Sequence, residues 1–235
     1  MLPGGRTTVT DAFASEETGR RTHLYYPGTS GLLTPDHFQF EGIRARILHL
    51  GLPGLHEQMD KPWNGDPSGW VTVLKGARAA GIKTNLEMCS LPAPRLLEVV
   101  APCLGHLDYL IINDFEVAAL SQRTIRHGYD VDLRDCLANA KDVFDRSSVE
   151  LLVVHFPRGA IAMQRGADPL VIPSVAVPKE AIAGSNGAGD AFASGILYGI
   201  HQGWRLRDAL QLAHSAAAAS MRHIGTVSYT HLTLP

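Results

Sequence analysis

Short apolar runs alternate along the chain with longer segments in which apolar positions recur with the period of a helix. The short runs predict buried strands, and the longer segments predict helices that turn one face toward a core. Strands are predicted at 47–51, 82–86, 107–112 and 151–155, and helices near 71–80, 95–100, 114–121, 133–142, 191–200 and 206–222. This alternation predicts an α/β fold in which helices cover both faces of a mainly parallel sheet.

Polar residues directly follow one of these strands. In Asn113-Asp114-Phe115-Glu116, which comes after the strand at 107–112, Asn113 and Glu116 are three residues apart at a helix start. Their side chains share one face, so both can point at a ligand beyond the carboxyl end of the strand. Amide and carboxylate oxygens suit Mg²⁺, which binds few protein groups and keeps several waters. The spacing also suits a capping box, in which Asn113 caps the helix and Glu116 reaches back to its amide.

The segment Gly184–Gly195 carries the strongest chemical signal. It places Gly187, Ala188 and Gly189 directly before Asp190 and an apolar run that predicts a helix. Small residues allow a tight turn, and the free N–H groups of a helix N-terminus favour an anion such as a phosphate. Asp190 is then placed to take a proton from a hydroxyl that attacks a phosphoryl group. The alternative is a glycine-rich helix start capped by Asp190, and the spacing fits neither a dinucleotide motif nor a Walker loop.

Composition narrows the classes of partner. The 235 residues carry a formal net charge of −2 without a basic run, which argues against nucleic acid or an anionic membrane as a partner. No apolar stretch reaches the ~18 residues of a membrane span, and the first residues lack a signal-peptide core, so we expect a cytoplasmic protein. Cys89, Cys103 and Cys136 form no Cys-x-x-Cys motif, and the histidines lack metal-ligand spacing. Zinc and redox sites are therefore not expected, and packed histidines are the simpler interpretation.

Two motifs together resemble those of the PfkB (ribokinase-like) carbohydrate kinases. The run 187–192, with Ser194-Gly195 behind it, is similar to the Gly-Ala-Gly-Asp signature of that family, and Asn113 and Glu116 match its Asn-x-x-Glu motif. The resemblance implies a ribokinase-like three-layer α/β/α sandwich with a mainly parallel sheet and a small β lid. It also implies an ATP-dependent phosphotransferase that acts on a hydroxyl of a sugar or sugar-like small molecule.

The roles that the resemblance implies fall on those same motifs. Asp190 is the expected catalytic base, and the backbone amides of the residues before it form the expected anion hole (Gly187, Ala188 and Gly189). Asn113 and Glu116 are expected to help hold Mg²⁺ and the phosphates of ATP. The ATP pocket is expected to include Gly159, in the turn after the strand at 151–155, and His214, on the alanine-rich helix at 206–222.

The resemblance also divides the chain. Residues 1–30 are expected to hold part of the lid and the entry to the core, with the lid strands at 8–15 and 19–28. Residues 31–226 are expected to form the α/β core, and 227–235 a non-native tail. A homodimer formed through the lid is a further expectation.

Three departures from the family pattern qualify these expectations. Gly184 stands where relatives often carry an Asp that helps bind a monovalent cation, so the resemblance does not extend to activation by such a cation. Phe156-Pro157 replaces a glycine-containing turn near the nucleotide. The first strands of the family and its sugar-binding Asp have no counterpart, so we expect a truncated member. A catalytically silent nucleotide-binding relative, or a kinase for a nucleoside or vitamin-like alcohol, therefore stays open as an alternative.

Overall fold

The structure is a computed structural model that describes residues 5–14, 21–89 and 91–223. A small antiparallel sheet consists of β1 (Val9–Ala14) and β2 (Arg21–Tyr26). A larger sheet has six strands, whose spatial order follows the chain. They are β3 (Ile47–Leu50), β4 (Lys83–Leu86), β5 (Tyr109–Asn113), β6 (Leu151–Phe156), β7 (Gly159–Gln164) and β8 (Leu170–Pro173).

The larger sheet is mainly parallel, as the sequence predicts. Strands β3 to β6 run in the same direction, whereas β7 and β8 each run antiparallel to the preceding strand. Successive side chains of a strand point to opposite faces, so Leu110 and Ile112 enter one core cluster while Ile111 enters the other. Both clusters are covered by helices, which explains why the central strands are continuous apolar runs without alternating polar residues.

Helices cover the two faces unequally. Within the described ranges they are α1 (Gly69–Ala79), α2 (Ala93–Val100), α3 (Asp114–Ser121), α4 (Leu133–Arg146), α5 (Ala188–His201) and α6 (Leu206–Ser220). Buried residues of α1 to α4 pack in one core cluster, and those of α5 and α6 pack in the other. The three-layer arrangement is therefore confirmed. No helix in the described ranges is both long and apolar enough to cross a membrane.

The sequence analysis missed β7 and β8, and it misplaced Gly159. That glycine is the first residue of β7 and pairs with Phe156 across a tight turn at Pro157-Arg158. A side chain there would lie 2.5 Å from the Ile172 carbonyl oxygen, so the close approach of β8 requires a glycine. The run after Gly159 is buried on both faces and lacks the alternation of polar residues that marks an antiparallel strand.

The small sheet forms the lid-like part of the structure. Its β2 strand is attached to the rest of the chain by Tyr25, whose hydroxyl donates to the Leu55 carbonyl oxygen at 2.9 Å. Large apolar side chains nevertheless remain exposed on it, namely Val9, Phe13, Leu24 and Tyr26. The remaining expectations for 15–20, 224–226 and the 227–235 tail fall outside the described residues.

Helices α5 and α6 pack so closely that Gly195 has no room for a side chain. A β-carbon at this position would lie 2.6 Å from the α-carbon of Ala213 on α6. We expect Gly195→Ala to lower the free energy of unfolding by about 1–3 kcal/mol, because the two helices would have to separate. Gly105→Ala is the matched control, since no atom lies within 4 Å of the added carbon. Equal unfolding midpoints in denaturant for the two variants would contradict this packing.

Candidate active site

The glycine-rich turn leads directly into α5. Gly187 is the residue before the helix and has a left-handed backbone (φ 78°), a conformation that favours glycine. The first helical hydrogen bond returns from the Ala191 amide to the Gly187 carbonyl at 2.9 Å. The amides of Gly189 and Asp190, in the first turn, therefore have no partner within the helix. Together with the helix dipole, they make this end of α5 suitable for an anion.

Asp190 lies in the first turn of α5, next to those amides. The residue as a whole is exposed, but packing around its carboxyl group raises the pKa above its ordinary value. The carboxylate of Glu87 raises this pKa further, and His49 lowers it. A carboxylate with a raised pKa is a better proton acceptor than an ordinary surface aspartate.

Glu87 and His49 were not identified as site residues from the sequence. They form an ion pair of 2.9 Å between Glu87 Oε2 and His49 Nε2, and Asn85 Nδ2 lies 2.8 Å from His49 Nδ1. His49 and Asn85 are neighbours in the register of β3 and β4, close to the carboxyl ends of both strands. The sequence analysis interprets the histidines as packed, and this is wrong for His49, because its side chain is 44% exposed. Polar residues at the ends of two successive strands were the signal that could have indicated the pair.

Asn113 and Glu116 form the capping box that the sequence left open. The Asn113 side-chain oxygen accepts from the Glu116 amide, and Glu116 Oε2 accepts from the Asn113 amide, both at 2.9 Å. Burial raises the pKa of Glu116 to about 7, opposed by the hydrogen bonds from Asn113 and supported by the carboxylates of Glu87 and Asp114. The helix start thus holds a buried acid in a negatively charged environment.

This environment fits a bound cation. In the part of the chain that the structure describes, no lysine or arginine forms an ion pair with Glu116, although the carboxylates of Glu87 and Asp114 both raise its pKa. No group of three or more His, Cys, Asp or Glu side chains among the described residues is arranged to hold a metal by itself. A metal at this position would therefore need oxygen ligands from a substrate or from water, which is how Mg²⁺ usually binds beside phosphates.

His214 lies near the glycine-rich turn, on the far side of Phe192. Its ring packs against Phe192 at 5.0 Å, and Phe192 packs against His155 at 4.9 Å. His155 Cε1 would lie 3.5 Å from a β-carbon at Gly189. Burial lowers the pKa of both histidines, that of His155 to about 4, so the rings are neutral under the turn. His214 Nε2 is buried without a partner among the described atoms.

Gly159 does not join this group. It lines a separate cavity of about 680 Å³ between the β6–β7 turn and the start of α4, together with Arg126 and Arg158. Asn113 and Glu116 line another groove of about 800 Å³, between α2 and α3. Asp190 and Glu116 share one electrostatic influence, because the negative charge of Glu87 raises the pKa of each.

The buried Glu116 carboxyl makes stability depend on pH. Its pKa in the folded protein, about 7, exceeds the ordinary value of 4.5, so the folded state binds the proton more tightly than the unfolded state. This contribution to stability is complete below pH 4.5 and is lost as the pH rises through about 7. We expect Glu116→Gln, which keeps the acceptor for the Asn113 amide, to abolish this loss in unfolding measurements across that range. Glu98→Gln, an exposed change, is the control. If the free energy of unfolding depends on pH in the same way for wild type, Glu116→Gln and Glu98→Gln, Glu116 is not a buried acid.

Curated relatives of this chain are kinases. Adenosine kinase 1 of Arabidopsis thaliana is 27% identical over 159 residues, which is 62% of this chain and 44% of the relative. The chain thus spans less than half the length of that relative.

Solved structures show the same fold. Adenosine kinase from Sinorhizobium meliloti superposes with a TM-score of 0.71 at 20% identity, over 95% of this chain and 63% of that protein. Arabidopsis thaliana ribokinase complexed with ribose and ATP superposes with a TM-score of 0.69 at 16% identity, over 94% of this chain and 65% of that protein. At this level of identity the superpositions establish a ribokinase-like fold, which confirms the expected fold class.

The sequence itself matches a family model over nearly its whole length. The model describes the pfkB family of carbohydrate kinases and matches residues 2–231, which include the glycine-rich turn, Asp190 and the Asn113–Glu116 motif. The match extends through both sheets and all the helices described above. The chain therefore belongs to the pfkB family of carbohydrate kinases.

Proposed function

We propose that this chain is the catalytic part of an ATP-dependent kinase that phosphorylates a hydroxyl of a sugar or sugar-like small molecule. The observation that carries the proposal is Asp190, a carboxylate with a raised pKa in the first turn of α5, beside amides that have no helical partner. Membership of the pfkB family and the similarity to an ATP-bound ribokinase support it.

Asp190 is proposed to act as the base. It accepts the proton of the acceptor hydroxyl while the hydroxyl oxygen forms its bond to the γ-phosphorus of ATP and the bond to the ADP oxygen breaks. The backbone amides at Gly187, Ala188 and Gly189 stabilise the charge on the transferring phosphoryl group. This division of labour suits α5, since the amides and the base share one helix turn.

Asn113 and Glu116 are proposed to hold Mg²⁺ through its waters, together with the phosphates. The metal, when bound, neutralises charge on the phosphates and thereby assists transfer. The Asn113 amide donates to Glu116 Oε2, which orients the carboxyl, and the Glu116 amide in turn holds the Asn113 side chain. Gly184 offers no carboxylate, and we propose no dependence on a monovalent cation.

The nucleotide is proposed to lie along the α5–α6 side of the turn. His214 supports this, because its Nε2 is buried and lacks a hydrogen-bond partner among the described atoms. Gly159 supports it less, since that residue belongs to another cavity. The role of Gly159 in the ATP pocket therefore stays a prediction from the sequence alone.

The small sheet is proposed to close over the acceptor and exclude water from the reaction. Its exposed apolar side chains, such as Phe13 and Leu24, need a cover, which is either the acceptor and the core or a second copy of the chain. A homodimer formed through this sheet therefore remains a proposal.

A nucleoside is the second candidate acceptor. The similarity to adenosine kinases favours it, whereas the similarity to a ribokinase that binds ribose favours a sugar. ADP release from Mg·ATP, measured with a panel of sugars and nucleosides, separates these classes. Release that depends on an acceptor supports a kinase, and ATP binding without such release supports a catalytically silent relative.

Replacement of the base tests the chemistry. We expect Asp190→Ala to lower turnover by ~10²-fold or more, as is usual for a lost general base, while ATP binding persists. Asp145→Ala removes a similar charge from the surface of α4 and is the control. Near-normal turnover of Asp190→Ala in an acceptor-dependent assay would contradict the assignment.

Replacement of the acid tests the metal. We expect Glu116→Gln to raise the Mg²⁺ concentration needed for half-maximal rate by about tenfold or more, because a neutral amide orders the waters of a cation less well. Glu98→Gln, an exposed change on α2, should leave this concentration unchanged. An unaltered Mg²⁺ dependence in Glu116→Gln would exclude Glu116 from the metal site.

A further inference from the structure

The cavity of about 680 Å³ between the β6–β7 turn and the start of α4 has no part in the reaction proposed above. Its lining, among the described residues, includes none of the side chains to which that reaction gives a role, namely Asn113, Glu116, Asp190 and His214. Its volume lies within the range of small-molecule pockets. We propose that this cavity binds a small phosphorylated molecule with an apolar body, separately from the nucleotide and the acceptor.

Three arginines supply the positive charge of the cavity. Arg126 precedes α4, Arg134 lies in the first turn of α4, and Arg158 lies in the β6–β7 turn. Within the described ranges, the side chains of Arg134 and Arg158 form no hydrogen bond and no ion pair. A guanidinium group binds phosphate oxygens through its paired N–H donors. Two guanidinium groups of this cavity are therefore available to an anion.

Two aspartates also line the cavity, and one of them already has partners. Asp132 caps α4, because its Oδ1 accepts from the Arg134 amide at 2.8 Å and from the next amide at 3.3 Å. Its Oδ2 lies 3.5 Å from Arg126 Nη2. These contacts leave Asp130 as the acid that opposes the two unpaired arginines. The cavity thus keeps an excess of positive charge, which comes from side chains, since the first amides of α4 are occupied.

The rest of the lining is apolar. Phe156 and Ile172 are each 6% exposed, whereas Leu133 and Val171 each leave 48% of their surface exposed in the same cavity as the arginines. Removal of such surface from water contributes about 25 cal/mol per Å². A phosphate ion alone would leave these side chains in water, so the favoured ligand carries an apolar body beside its phosphate.

Hydrogen bonds fix the backbone on both sides of the cavity. The Ser174 amide donates to the Arg158 carbonyl oxygen at 3.1 Å, and the Ser174 hydroxyl donates to the Pro157 carbonyl oxygen at 2.8 Å. On the other side, the Gly128 amide donates to Asp114 Oδ2 at 2.7 Å, which ties the segment before α4 to the start of α3. Because the backbone is already ordered, a ligand has to order little more than the arginine side chains.

Phenyl phosphate is the probe, because it joins a phosphate group to an apolar ring. Its Kd is measured by titration calorimetry for wild type, Arg134→Gln and Arg158→Gln. Arg207→Gln is the matched control, since it removes the same charge from an exposed position on α6. Gly159 lines the cavity and is expected from the sequence in the ATP pocket. The titrations are therefore repeated with a saturating non-hydrolysable Mg·ATP analogue.

We expect Arg134→Gln and Arg158→Gln each to raise the Kd of phenyl phosphate by about tenfold or more, since each removes a hydrogen bond between charged groups. Arg207→Gln and the ATP analogue should leave this Kd unchanged. Val171→Glu places a negative charge in the cavity at an exposed position of β8 and should abolish binding. If an arginine variant does not fold, Val171→Glu still decides the matter.

The inference would be overturned if phenyl phosphate does not bind at millimolar concentrations, or binds all variants equally. Displacement of the probe by the ATP analogue would assign the cavity to the nucleotide and exclude a separate site. Benzoate and inorganic phosphate are the comparison ligands. Equal binding of benzoate would contradict a preference for phosphate, and equal binding of inorganic phosphate would contradict the apolar body. The measurements need no turnover, so their outcome is independent of the proposed function.

Discussion

The parallel alignment of β3 to β6 determines where the polar side chains of this protein meet. Parallel strands bring their carboxyl ends to one edge of the sheet, and residues that are far apart in sequence converge there. Glu87 directly follows β4, Asn113 ends β5, and His155 is near the end of β6. Helix α5 packs on the face of the sheet that α1 to α4 leave uncovered, and its first turn brings Asp190 to the same edge. The site is a consequence of this topology.

Convergence has an electrostatic cost. The Glu87 carboxylate acts on both Glu116 and Asp190, and the pKa values of these two groups are raised. His49 is the only positive influence on this group among the described residues. Such an arrangement disfavours the ionised carboxylates in the free protein and favours a cation when the phosphates arrive. The same cluster of carboxylates therefore opposes ionisation in the free protein and attracts a cation in the proposed reaction.

The sequence predicted the elements whose signals are local. Continuous apolar runs identified β5 and β6. The Asn113–Glu116 spacing predicted the start of α3, and both interpretations that were left open used these two side chains. The strand β7 was missed because burial on both faces hides the alternation of an antiparallel strand. The strand β8 has only four residues, of which Ile172 alone is buried. Glu87 and His49 were missed because their contact joins residues 38 positions apart and depends on the register of β3 against β4. The register between two strands cannot be predicted from the sequence of either strand alone.

The central claim is that the edge at Asp190 transfers a phosphoryl group to a hydroxyl. The most direct test is mass spectrometry of the acceptor after incubation with Mg·ATP, together with the amounts of ADP and free phosphate. The account predicts an acceptor heavier by one phosphoryl group and an equal amount of ADP, with little free phosphate. ADP that forms together with free phosphate and an unmodified acceptor, across both sugars and nucleosides, would contradict it.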